Sequence, residues 1–139
     1  MLNRIWTTSI MIAATACTFS AVAQQTTPAT ASPPSGIKRT PLQRFAVPGT
    51  TYETVIGLAD IAPDVSIGRH THPGPESGYI MAGGFDLMID GQPVRTLKAG
   101  DSYVVPEHTV HDAKSGREGA RVIATYVIPK GRPLASPAK

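Results

Sequence analysis

Four histidines and one glutamate are the residues of this chain best suited to chemistry. His70-Thr71-His72-Pro73-Gly74-Pro75-Glu76 sets two imidazoles two residues apart and a carboxylate four residues further on. The other two histidines, His108 and His111, share a second short stretch, and the chain has no more. Imidazole nitrogen and carboxylate oxygen together form a ligand set for a transition metal ion. Such concentration in 139 residues points to a metal site rather than to histidines spread over surface and core.

Strand geometry explains how the cluster could converge. On a strand, residues i and i+2 face the same way, so His70 and His72 project together while Arg69 and Thr71 point away. Pro73-Gly74-Pro75 turns the chain, and Glu76 brings a carboxylate back to the same point from the next strand. A third imidazole would complete a set of three nitrogens and one oxygen. Pro106-Glu107-His108 reads as a turn, whereas His111 falls in an apolar run where a strand side chain can face an interior. Antiparallel pairing would set His111 beside His70, His72 and Glu76, so His111 is taken as the third imidazole. His108 is then a solvent-facing turn residue or, in a functional role, a general acid/base or an outer hydrogen-bond partner. Tyr79 and Tyr103 read as core or rim aromatics whose hydroxyls would steer a substrate if they line the pocket. Phe85, Leu87, Met81 and Met88 read as packing.

The elements that must position these residues read as strands. Short β-branched runs are separated by Gly, Pro and Asp, with no sustained helical period. Strands are expected over 52–61, 65–72, 77–81, 85–89, 93–97, 102–105, 109–114 and 121–128. Asp90-Gly91 signals a hairpin with a type I′ turn, and Phe85, Leu87 and Ile89 alternate with Asp86 and Met88 to give one face to a core. The fold class is all-β, a small antiparallel barrel or sandwich.

Flanking segments differ in composition. Residues 1–23 carry Arg4, an apolar run and Ala21-Val22-Ala23, the pattern of a cleaved export signal; a lipoprotein cut before Cys17 is the second option. Cleavage after Ala23 removes the single cysteine and leaves no thiol for disulfides, metal or nucleophilic catalysis in an oxidising compartment. Residues 24–41, rich in Gln, Thr, Ala and Pro, are expected to form a disordered tether, 42–130 one domain and 131–139 a disordered tail. The expected location is the bacterial periplasm or the exterior, with no stable membrane span after cleavage. Loss of Arg4 takes one unit from a formal net charge of +3, and no run of like charges forms a patch, which argues against a nucleic-acid partner.

With these residues in place, the chain resembles the cupins. The first cupin motif, G-x5-H-x-H-x3,4-E-x6-G, matches 64–83 with His70, His72, Glu76 and Gly83 in place and Asp64 where a glycine would stand. The second, G-x5-P-x-G-x2-H-x3-N, matches 100–115 with Gly100, Pro106 and His111 in place; His108 replaces a glycine and Ser115 the asparagine. The resemblance implies a double-stranded β-helix, or jelly roll, holding one divalent metal (Fe, Mn, Zn, Ni or Cu) through His70, His72, Glu76 and His111. It also implies a homodimer.

Function is expected to be that of a small exported metal-dependent enzyme acting on a small organic molecule. Oxygenase-type chemistry is placed ahead of lyase or isomerase chemistry, by analogy with the family. Glu76 is a candidate to move a proton by shifting on the metal, with His108 as a second catalytic candidate. The alternative is a non-catalytic protein of the cell envelope that binds a metal or a small ligand.

Overall fold

The computed structural model describes residues 36–138, so the export signal expected over 1–23 and most of the tether lie outside the described residues. Among them every regular element is a strand. In chain order these are β1 (Ile37–Ala46), β2 (Tyr52–Ile61), β3 (His70–Thr71), β4 (Glu76–Ile89), β5 (Arg95–Lys98), β6 (Ser102–Val105), β7 (His111–Pro129) and β8 (Ser136–Pro137). All pairings are antiparallel, and the sheet curls into a half-barrel. No helix among the described residues is long and apolar enough to cross a membrane.

β7 is the strand on which the others assemble. It pairs with β2 from Tyr52↔Pro129 to Ile61↔Ala120, with β4 along most of its length, and with β3 through His70↔His111. β1 lies outside β2 and β8 outside β3, while β4 carries β5 and β6 on its other edge.

Strands expected as separate pieces merge. The segments 77–81 and 85–89 belong to the single strand β4, because Gly83 and Gly84 sit at bulges rather than in a turn. The inward face of β4 runs through Glu76, Gly78 and Ile80, then through Phe85, Leu87 and Ile89. That change from even to odd positions is what irregular pairing does, since one extra residue reverses which side chains face inward. β7 shows the same reversal, from His111, Ala113 and Ser115 to Ala120, Val122 and Ala124. The two inward faces meet in a core that includes Ile80, Phe85, Leu87 and Val122, with Ile80 fully enclosed. Burying each such large side chain contributes about 1.5–3 kcal/mol.

Several expectations are corrected. The tether was expected to reach 41, yet β1 begins at Ile37, and β8 lies in the tail expected to be disordered over 131–139. Both are edge strands held by backbone bonds. Almost all β1 side chains are exposed, so no apolar alternation marks the strand, and Pro41 sits where the β1–β2 register shifts, a position that tolerates a missing N–H. The strand expected over 65–72 shrinks to His70–Thr71 and one isolated bridge from Ser66 to Lys114. At the Asp90-Gly91 turn, Gln92 N–H donates to the Ile89 carbonyl, and Gly91 has positive φ while Asp90 does not. The turn is therefore not type I′, which needs both.

Candidate metal centre

Each residue of the cluster stands at a strand end. His70 opens β3, His72 lies just past it, Glu76 opens β4 and His111 opens β7. The 73–75 turn carries the chain from His72 to Glu76, and the β3–β7 register sets His70 directly opposite His111. One ligand atom from each of the four lies within 4.8 Å of the other three. His72, Glu76 and His111 are buried, whereas His70 is partly exposed.

Backbone carbonyls fix how the imidazoles face. Nδ1 lies 2.7 Å from the Gly68 carbonyl in His70, 2.6 Å from that of Leu134 in His72, and 2.9 Å from that of Thr109 in His111. A carbonyl only accepts, so each Nδ1 carries the proton and donates it. The Nε2 lone pairs are then free for a common centre, the arrangement in which an outer partner orients a metal-binding histidine.

The fourth group is an anion with one oxygen committed. Tyr103 Oη donates to Glu76 Oε1 at 2.7 Å, and Tyr126 Oη stands 3.5 Å from the same oxygen. Oε2 points to His72 Nε2 at 2.9 Å and His111 Nε2 at 3.3 Å. Burial pushes the Glu76 pKa up, but His111 and the Tyr103 hydroxyl hold the carboxyl well below its usual range. Burial, with the Glu76 charge, raises both tyrosines far above their ordinary value, so they remain protonated donors. His70 is pushed down to about 4, chiefly by burial and further by the neighbouring imidazoles. His111 moves the other way: burial lowers its pKa, but Glu76 and the Thr109 carbonyl raise it more.

These groups fit a bound cation. With its proton committed to Leu134, His72 Nε2 is bare and has no hydrogen-bond partner, although Glu76 Oε2 is close. Two buried acceptors facing each other are unfavourable unless a positive charge lies between them. A proton on His111 Nε2 would relieve part of this, and a metal ion held by His70, His72, Glu76 and His111 would relieve all of it. Two ligands on opposite sides of one ion stand about 4.2 Å apart for bonds of about 2.1 Å, so a 4.8 Å spread needs little adjustment.

The departures from the cupin motifs have local explanations. Asp64 (φ 59°) and His108 (φ 57°) are the non-glycine residues with positive φ among the described residues, and both replace motif glycines. Aspartate and histidine are among the residues that tolerate this conformation best. The third departure, Ser115, is buried; its Oγ donates to the Ala62 carbonyl at 2.6 Å and accepts from Val65 N–H at 3.0 Å, tying the approach to β3 onto β7.

His108 does not join the cluster. It is exposed, and it serves the site through its backbone N–H, which donates to the His72 carbonyl at 2.9 Å. Arg69 faces away, as alternation requires, and pairs with Asp90 at 2.7 Å. Tyr79 is exposed and Tyr103 is buried against Glu76. Two partners of the site went unread in the sequence. Tyr126 could have been found from its inward alternation in 121–128; the Leu134 carbonyl, a backbone atom in a polar tail, leaves no signal.

The fold and the clustering of these four side chains point to one class of β-barrel. The chain belongs to the cupin family, whose cupin-domain model matches residues 57–128. No curated protein matches the chain. Among solved structures it is similar to KdgF from Halomonas sp., at 25% identity and a TM-score of 0.56 over 68% of this chain and 80% of that one. An RmlC-like cupin from Shewanella frigidimarina gives 27% identity and a TM-score of 0.57 over 69% and 79%. An oxalate oxidase in complex with the substrate analogue glycolate gives 25% identity and 0.59 over 76% of this chain and 56% of that one.

Proposed function

We propose that this cupin is a small exported metal-dependent enzyme that acts on a small organic molecule at one mononuclear centre. His70, His72, Glu76 and His111 would hold a divalent transition metal. The observation that carries this reading is the orphaned Nε2 of His72, buried beside a carboxylate oxygen in a cluster whose other protons are all directed outward. Such an ion supplies Lewis-acid or oxygen chemistry, and four protein ligands leave positions for a small molecule.

The residues of the chain support binding more than proton transfer by Glu76. With Oε1 engaged by Tyr103 and its pKa depressed, Glu76 stays an anion and presents one oxygen, which suits a ligand better than a base. His70 stays neutral at physiological pH, and as the partly exposed member of the cluster it marks the side from which a small molecule approaches. Likeness to an oxalate oxidase holding glycolate supports oxygen-dependent chemistry and makes small carboxylates the first substrates to test. The segment 1–23 supports loading and action in the envelope.

Elemental analysis of the mature protein from its own compartment, beside a His70→Ala, His111→Ala double variant, tests the ligand set. Stoichiometric metal in the wild type and its loss in the variant are expected; equal, sub-stoichiometric metal in both would overturn the proposal. Oxygen uptake with oxalate and glycolate then tests turnover, and saturable binding without turnover across metals would replace the enzyme by a binding protein.

A further inference from the structure

Resting on that metal reading, we infer that the segment 132–138 is a working part of the metal centre, so that metal binding and docking of this segment reinforce each other. The three histidines are not oriented in the same way. His70 and His111 bond to carbonyls two residues before them, Gly68 and Thr109, within their own stretches of chain. The partner of His72 is Leu134, 62 residues away. One imidazole of the cluster therefore depends on a separate piece of chain being in place.

That piece is laid along the strand that carries the ligands. β8 pairs with β3 through His70↔Pro137 and Thr71↔Ser136, and Ala138 N–H donates to the Arg69 carbonyl at 3.0 Å. Between β7 and β8, β3 has a neighbour on each side only while the segment is docked. Docking is held by little else. Both β8 residues are exposed, and within 132–138 Leu134 and Ala138 alone are half-buried. An edge element with few buried contacts opens readily on its own.

Opening has a defined chemical effect. Without the Leu134 carbonyl, nothing holds the His72 proton on Nδ1, and the ring can turn or carry its proton on Nε2, the atom a metal requires. Loss of an outer partner of this kind weakens metal affinity by about 10–100-fold. By linkage, a bound metal must favour the docked segment by the same factor.

Co2+ titration with a competing chelator, on the full chain and on a chain ending at Gly131, tests the inference. Affinity should fall about 10–100-fold on truncation, with an altered visible Co2+ spectrum and unchanged far-ultraviolet circular dichroism. In the intact chain, hydrogen exchange at the Ala138 amide should slow on saturation with Zn2+. Unchanged affinity and spectrum in the truncated chain would overturn the inference and leave the metal reading standing. If the truncated chain does not fold, the Ala138 exchange decides, and equal rates with and without Zn2+ overturn it. If neither ion binds the full chain, the metal reading falls and the inference falls with it.

Discussion

Glu76→Gln exchanges one carboxylate oxygen for an amide nitrogen of similar size, where His72 Nε2 and His111 Nε2 converge at 2.9 and 3.3 Å. Tyr103, a donor, keeps the remaining oxygen on its own side and so turns the new NH2 toward the two imidazoles. In the metal-free protein this satisfies the orphaned Nε2 of His72, which is worth about 1–3 kcal/mol for a buried acceptor. Against it, the Tyr103 bond loses its charge assistance, about 1 kcal/mol. A further loss is the Glu76 charge itself: its depressed pKa marks an anion that the folded protein favours, and His111 loses the partner that raises its pKa. The losses outweigh the gain, and the metal-free variant is expected to be less stable by about 1 kcal/mol, a fall in Tm of about 4–8 °C for a domain of this size. Metal should widen the difference between the two proteins. At one hundred times its Kd, Zn2+ adds about 2.7 kcal/mol to the wild type, and the variant, with its anionic ligand removed, should not respond. Thermal unfolding at pH 8, in chelator and in Zn2+, reads both effects. A variant in chelator that melts well above the wild type, or one that keeps the Zn2+ response, would refute the role given to the Glu76 charge in the cluster.

Two further outcomes are expected. In the metal-free protein His70 titrates at about 4 when folded against 6.5 ordinarily, so the unfolded chain takes up the proton first as pH falls. Its contribution is full above 6.5 and is lost toward 4, about 3 kcal/mol; Glu76, also depressed, loses its share at still lower pH. His111, raised, contributes in the opposite sense: its share is full below its ordinary pKa and fades as pH rises, so it holds constant over the range in which the His70 share is lost. Denaturant midpoints in chelator should therefore fall from pH 7 to pH 4, and a rising midpoint would contradict the assignment. Ser115→Ala should cost about 1–3 kcal/mol by leaving Ala62 and Val65 backbone groups without their partner. Chemical denaturation checks this, with Co2+ affinity unchanged because Ser115 is not among the cluster residues.

Side-chain patterning was legible where one face is buried. β2 occupies the expected 52–61, and the alternation of Phe85, Leu87 and Ile89 does mark an inward face. Glycine misled the reading of strand ends, because at Gly83 and Gly84 it serves bulges inside a continuous strand. β1 and β8 were illegible for a different reason: their pairing uses backbone groups, which every residue has, and their side chains are exposed. The candidate site divides in the same way. The spacing of His70, His72 and Glu76 and the position of His111 show in residue types, as does the resemblance that joins them. The Leu134 carbonyl and the backbone role of His108 do not, since neither depends on the side chain at that position.

The central place of β7 also governs when the fold can form. β2 and β4 both find their longest partner in β7, which ends at Pro129. Until that strand has been synthesised, the chain can close only the β1–β2, β4–β5 and β4–β6 pairings, with the inner edges of β2 and β4 open. Folding therefore waits for nearly the whole chain and proceeds through distant pairings, which places it among the slower small domains, on a timescale of about milliseconds to seconds. During that interval two long strand edges stand exposed, and a nascent or newly released chain is at its most aggregation-prone there.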